Sequence, residues 1–151
     1  MVSDHVAPIW RPQGWPRSGH PLADDHRGRR AELRGVSSDF NPLHLSEEHT
    51  AATDFGEPIA HGALLFAVIS GLLWQYRHER PDVVAFYGVD ALRVTEPVTM
   101  GTSVHAESEL VEKKPEDHPV GNGVVRYETR LVTDDAVALS CEMLTSSNKT
   151  P

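Results

Sequence analysis

In the run Ser37-Ser38-Asp39-Phe40-Asn41-Pro42-Leu43-His44 a carboxylate and an imidazole stand five positions apart, with a proline between them. Pro42 fixes its own φ and pushes Asn41 toward extended backbone, so the chain is expected to bend between Asp39 and His44 instead of continuing as helix. Both side chains can then reach one cavity. An imidazole, whose ordinary pKa is ~6.5, and a neighbouring carboxylate can hold a water between them and move its protons in both directions, which is general acid–base chemistry. The same spacing also fits an Asx turn followed by a surface histidine. The run alone leaves both readings open.

After His44 comes Pro58-Ile59-Ala60-His61-Gly62, with His61 seventeen positions on, directly ahead of a long apolar run. A glycine there lets a ligand approach the backbone, and the unpaired N–H groups at a helix start can stabilise a developing oxyanion such as an enolate-like thioester oxygen. Alternatively, Gly62 eases a tight turn and His61 satisfies it. His44, His49 and His61 also invite a metal centre, but no further ligands accompany them, and none is expected. The single cysteine, Cys141, cannot close an internal disulfide and has no thiol partner for zinc. Its alternating surroundings, Val137 to Met143, predict a buried small hydrophobe, and a lone thiol suits a reducing, cytoplasmic setting.

The elements that must hold these residues follow from periodicity. Residues 1–21, rich in proline and carrying two of the three tryptophans, read as an irregular arm, and residues 22–151 as one domain. Leu22 to Ser38 reads as a weakly amphipathic helix, weakened by Gly28 and Gly35. The stretch after the Asp39–His44 loop predicts a short helix capped by Ser46, with Glu47 and Glu48 in its first turn. His61 to Tyr76 is apolar nearly all round, so a buried helix is expected, with Trp74 and Tyr76 packed in the core or an interface. It is too short and too interrupted by Gly, Ser and Gln for a membrane span. After Pro81 the period becomes two: Val83 to Phe86, Ala91 to Val94, Val104 to Val111, Val124 to Val132 and Val137 to Leu144 predict strands joined by short turns. One buried helix followed by consecutive antiparallel strands is an α+β layout in which the sheet wraps the helix.

Composition narrows the partners. A chain of 151 residues is long enough for one core burying roughly two-thirds of its unfolded surface. The net charge of -8 gives no global attraction for phosphate backbones, so nucleic acid is not expected. Arg11 to Arg34 is locally basic, either a positive surface or a solvated arginine-rich stretch. The first residues lack the basic-then-apolar layout of a secretory signal, which predicts a soluble, unexported protein.

Taken together, the two motifs resemble the MaoC-like family of (R)-specific enoyl-thioester hydratases and dehydratases. The matching residues are Ser37, Asp39, Asn41, Pro42, Leu43 and His44, then Ala51, Phe55, Gly56, Pro58, Ile59, His61 and Gly62, and later Ser70-Gly71. Weaker agreement continues through Tyr87-Gly88, Arg93, Pro97-Val98 and Gly101, so the likeness spans about residues 37–146. It implies a hot-dog fold and a homodimer, with an active site at the subunit interface that admits the pantetheine arm of a CoA or acyl-carrier-protein thioester. Neither cofactor nor metal is called for. By position, Asp39 and His44 match the catalytic pair, Gly62 the backbone amide facing the thioester carbonyl with His61 beside it, Asn41 a residue shaping the loop, and Ser70 a helix residue near the site. The implied reaction adds water across the 2,3 position of the acyl group, or removes it.

Two departures stand out: the arginine-rich stretch His26 to Arg34 replaces an apolar helix, and Ala63 replaces the Met common after the His-Gly pair. They leave room for a tailoring enzyme of secondary metabolism that dehydrates or cyclises a polyketide-type intermediate, or for a silent acyl-binding subunit. A silent subunit has no need of both Asp39 and His44.

Overall fold

Apolar side chains recurring at every second position give four antiparallel strands in the computed structural model: β1 (Val83–Val94), β2 (His105–Pro115), β3 (Gly123–Val132) and β4 (Val137–Ser147). They lie in the order β1-β4-β3-β2. The structure describes residues 26–75, 83–99, 101–115, 121–134 and 136–148. The expected arm over 1–21, the start of the Leu22 helix, Tyr76 and the 116–119 turn therefore lie outside the described residues.

Directly paired residues share a sheet face, so the register sorts the side chains. Val125↔Thr145, Tyr127↔Met143, Thr129↔Cys141 and Leu131↔Leu139 form one face, which is buried against α4 (Gly62–Gln75). On the other face Arg126 of β3 bonds Asp90 of β1 at 2.9 Å, reaches Glu112 of β2 at 3.5 Å and bonds Glu142 of β4, so one guanidinium ties the strands together. Asp90 and then Glu142 hold its pKa above the ordinary arginine value.

Two expectations change here. The separate strands Val83 to Phe86 and Ala91 to Val94 are one strand, β1, paired along β4 with shifts in register after Val83, after Phe86 and after Asp90. Ala91 at φ 51° absorbs the last of these, as a bulge does. The apolar helix is buried on one stripe only, Leu65, Ile69 and Leu72, because a single sheet layer can cover only one side of it. Ala63, Ala67 and Gly71 stay exposed. Trp74, expected in the core or an interface, is 55% exposed and no part of the core.

No described helix is long and apolar enough to cross a membrane. Cys141 is buried in the core beside Leu139 and Met143, as its surroundings predicted, and burial pushes its thiol pKa up. It should therefore resist a thiol-specific disulfide reagent in the folded protein and react stoichiometrically once guanidinium unfolds the chain. Rapid labelling of the native state would contradict this packing.

Candidate active site

The loop that carries Asp39 is built from local hydrogen bonds. The helix α1 (His26–Ser37) closes with Ser38 N–H donating to the Arg34 carbonyl at 2.8 Å, and Ser38 takes φ 60°. Asp39 N–H donates to Ser37 Oγ at 3.1 Å, and Asp39 Oδ1 accepts from Asn41 N–H at 3.1 Å. Asn41 Oδ1 in turn accepts from Leu43 N–H at 3.0 Å, capping a single helical turn, α2 (Pro42–Leu45), with Pro42 in its first turn. The expected bend at Pro42 is thus a cap followed by one helical turn. Ser46 then caps α3 (Glu47–Ala51) through a bond from His49 N–H, as expected.

That turn aims His44 inward. Its Nδ1 lies 2.9 Å from the Ile59 carbonyl oxygen, which can only accept, so Nδ1 carries the proton and Nε2 is left as the basic nitrogen. Ile59 is itself fixed by Leu43 and by a bridge to Thr99, and Ala60 N–H donates to the Val98 carbonyl at 2.8 Å. The carbonyl that orients the imidazole is therefore itself held in place by backbone contacts.

His61, 2% exposed, stacks on His44 with ring centroids 3.9 Å apart and planes 30° apart. Its Nε2 sits 3.4 Å from the Asp39 carbonyl oxygen and 4.0 Å from Asp39 Oδ2. Donor atoms of Asp39, His44 and His61 all lie within 4.8 Å of one another, with the Asp39 side chain 48% exposed at the mouth. A metal bound to both imidazoles would have to lie in both ring planes, ~2.0–2.1 Å from each nitrogen. Stacked rings do not converge within that reach, and His44 Nδ1 is already engaged. The group suits proton transfer better than coordination. His49 takes no part in it.

Gly62 opens α4, so its N–H has no partner within the helix. A Cβ at this position would come 3.2 Å from Val94 Cγ2, so any larger residue would have to displace Val94. Ser70 is eight residues further along the same helix, about 12 Å away along its axis. It lines a cavity of about 370 Å³ between α4 and the sheet, with Phe66, Leu73 and Trp74 from α4, Val83, Ala85 and Phe86 from β1, Tyr127 from β3, and Met143 and Thr145 from β4.

Of the residues singled out in the sequence, Asp39, His44 and His61 come together and Gly62 adjoins them. Asn41 serves as a helix cap, and Ser70 belongs to the apolar cavity. The sequence reading missed the cavity's sheet-side wall, although the period-two pattern Leu139, Cys141, Met143, Thr145 already placed Thr145 on the helix-facing side. It also missed the stacking of His61 on His44, which no spacing rule anticipates.

The MaoC like domain matches residues 29–132, well over half of the chain. An (R)-specific enoyl-CoA hydratase of Aeromonas caviae is 38% identical over 111 residues, which cover 71% of this chain and 80% of that one. A 3-hydroxyacyl-thioester dehydratase of Mycobacterium tuberculosis is 35% identical over 92 residues, 60% of this chain and 58% of its own. The solved structure of the A. caviae (R)-hydratase superposes with a TM-score of 0.63 at 35% identity, covering 78% of this chain and 83% of that one. With that likeness, the antiparallel sheet packed on α4 is the α+β layout that the sequence pattern predicted, in the hot-dog form that the family resemblance implied. The domain match, the identity to the A. caviae relative and the shared fold agree, and the chain belongs to the MaoC-like family.

Proposed function

We propose that this protein is a hydro-lyase that adds water across the α,β double bond of an enoyl thioester, or removes it from the 3-hydroxyacyl form. The observation that carries the reading is the meeting of Asp39 and a tautomer-fixed His44 beside the amide that opens α4. In hydration, the pair deprotonates a water whose oxygen bonds to C3, and a proton is delivered to C2. Negative charge builds on the thioester oxygen between these events, and the Gly62 N–H is the donor that meets it. The names of the A. caviae and M. tuberculosis relatives support the same chemistry. The acyl chain occupies the cavity that runs from Phe66 to Trp74, which falls in the size range of small-ligand sites.

The active species in this reading is a homodimer. Apolar side chains left exposed on the edge strand β1, Phe86, Tyr87 and Val94 among them, together with Phe40 and Phe55 near the site, offer the surface for a second copy. Thioester handles on CoA and on acyl carrier protein share the same pantetheine arm, so CoA esters are adequate probes.

The test is direct. Purified protein should consume crotonyl-CoA or a longer trans-enoyl-CoA, read as loss of enoyl-thioester absorbance, with the active material dimeric by light scattering. No turnover at any chain length, or full activity in a monomer, would overturn the respective part of the proposal.

A further inference from the structure

The cavity along α4 is lined mostly by apolar groups, and the polar side-chain groups among its lining residues are the hydroxyls of Ser70, Tyr127 and Thr145 and the indole N–H of Trp74. Ser70 Oγ donates to the Ala67 carbonyl at 2.8 Å, one turn back in its own helix. Thr145 differs: it is 8% exposed, and its Oγ1 is buried with no hydrogen-bond partner. Its neighbour on β4 is placed otherwise, since Ser146 Oγ donates to the Ala85 carbonyl at 3.4 Å.

Buried hydroxyls in folded proteins are nearly always partnered, and leaving one without a partner is costly. Valine has the same shape and would line this cavity without that cost. Thr145 cannot turn away either, because β4 is held on both sides, by Val125 of β3 and Phe86 of β1. The one freedom left to the side chain is χ1, whose rotation exchanges the methyl and the hydroxyl between staggered positions, and binding within the cavity requires the rotamer that puts Oγ1 on the cavity side. A saturated alkyl tail in the cavity would give the hydroxyl nothing to bond.

We infer that the acyl chain this site takes carries an oxygen function, a ketone or hydroxyl, beyond the reacting double bond, and that Thr145 binds it inside the cavity. A ketone oxygen accepts from the Thr145 hydroxyl; a substrate hydroxyl can also donate to it. The oxygen lies toward the tail, because the cavity starts at Phe66, about 6 Å along α4 from Gly62, and continues past Ser70. Thr145 is thus a specificity residue, remote from the proton transfers at Asp39 and His44. The inference rests on the hydro-lyase reading above and narrows its substrate to oxygenated acyl thioesters.

The experiment compares kcat/KM for octenoyl-CoA with that for analogues in which a ketone replaces one methylene at successive positions beyond the double bond. Wild-type protein should prefer one ketone analogue over octenoyl-CoA by about tenfold or more. Thr145→Val should abolish that preference, lowering kcat/KM on the ketone analogue relative to that on octenoyl-CoA, and Thr145→Ser should retain it. The proposal is overturned if octenoyl-CoA is used as well as every ketone analogue, or if Thr145→Val leaves the ratio unchanged, the result a water on Oγ1 would give. The wild-type preference stands as a test even if the valine variant folds poorly. No turnover of any thioester would remove the hydro-lyase reading itself, and this inference with it, whereas turnover of octenoyl-CoA with no ketone preference removes this inference alone.

Discussion

Replacing His44 with Asn is expected to lower kcat on an enoyl thioester by about 10²–10⁴-fold, with little change in thermal stability. The size of the effect follows from how His44 is held. Its Nδ1 donates to the Ile59 carbonyl, so the working nitrogen is Nε2, on the side of the ring away from that carbonyl. An Asn amide nitrogen can take the place of Nδ1 and keep the Ile59 bond, but it offers no basic nitrogen where Nε2 was. The variant separates chemistry from architecture: a structural histidine would tolerate it, whereas an acid–base histidine would not. Enoyl hydration rates read together with a melting curve decide. Activity within a few-fold of wild type would take His44 out of the reaction. A large fall in melting temperature would show that the ring's stacking on His61 matters more for packing than for proton transfer.

The reasons this pair was visible in the sequence, and other parts of the site were not, are physical. Local features are written in local residues. Pro42 after Asn41 dictates the bend, Ser46 ahead of Glu47 and Glu48 dictates the start of α3, and alternation from Val137 onward dictates which side of β4 meets the core. The Asx turn and a shared cavity are geometrically compatible, since Asp39 makes the turn to Asn41 while its other carboxylate oxygen lies 4.0 Å from His61 Nε2, but His44 is turned inward to the Ile59 carbonyl and is no surface histidine. What was hidden depends on how distant elements meet. Tyr87-Gly88-Val89-Asp90 reads as a break, yet pairing with β4 carries β1 straight through it. The all-round apolarity of α4 could not reveal that one sheet covers only the Leu65, Ile69 and Leu72 stripe. Val94 bears on Gly62 from a strand begun more than twenty residues after it, and only the folded chain shows that contact. Thr145 is the sharpest case, because alternation told which way it points but nothing in the sequence told that its hydroxyl would find no partner.

Asp39→Asn is the second substitution with a large expected effect, again about 10²–10⁴-fold in kcat. Here the competing explanation is the loop itself. Asp39 Oδ1 accepts from Asn41 N–H, and Asn41 caps the turn that carries His44, so a crude substitution such as Asp39→Ala would disturb His44 as well as remove the carboxylate. Asparagine keeps an oxygen in the Oδ1 position and therefore keeps the Asx turn. What it loses is the charge and the proton-accepting capacity of the second oxygen, the one 4.0 Å from His61 Nε2. If Asp39 served only the turn, Asp39→Asn would be nearly silent in rate and Asp39→Ala would be damaging. If it takes part in proton transfer, both would be slow, and the asparagine variant would melt close to wild type. The double variant Asp39→Asn with His44→Asn completes the argument. Two groups acting on one water as a unit should lose little more together than either loses alone, because removing one already forfeits the shared step. Losses that instead multiply would mean that Asp39 and His44 act at separate steps, with water activation and protonation at C2 divided between them.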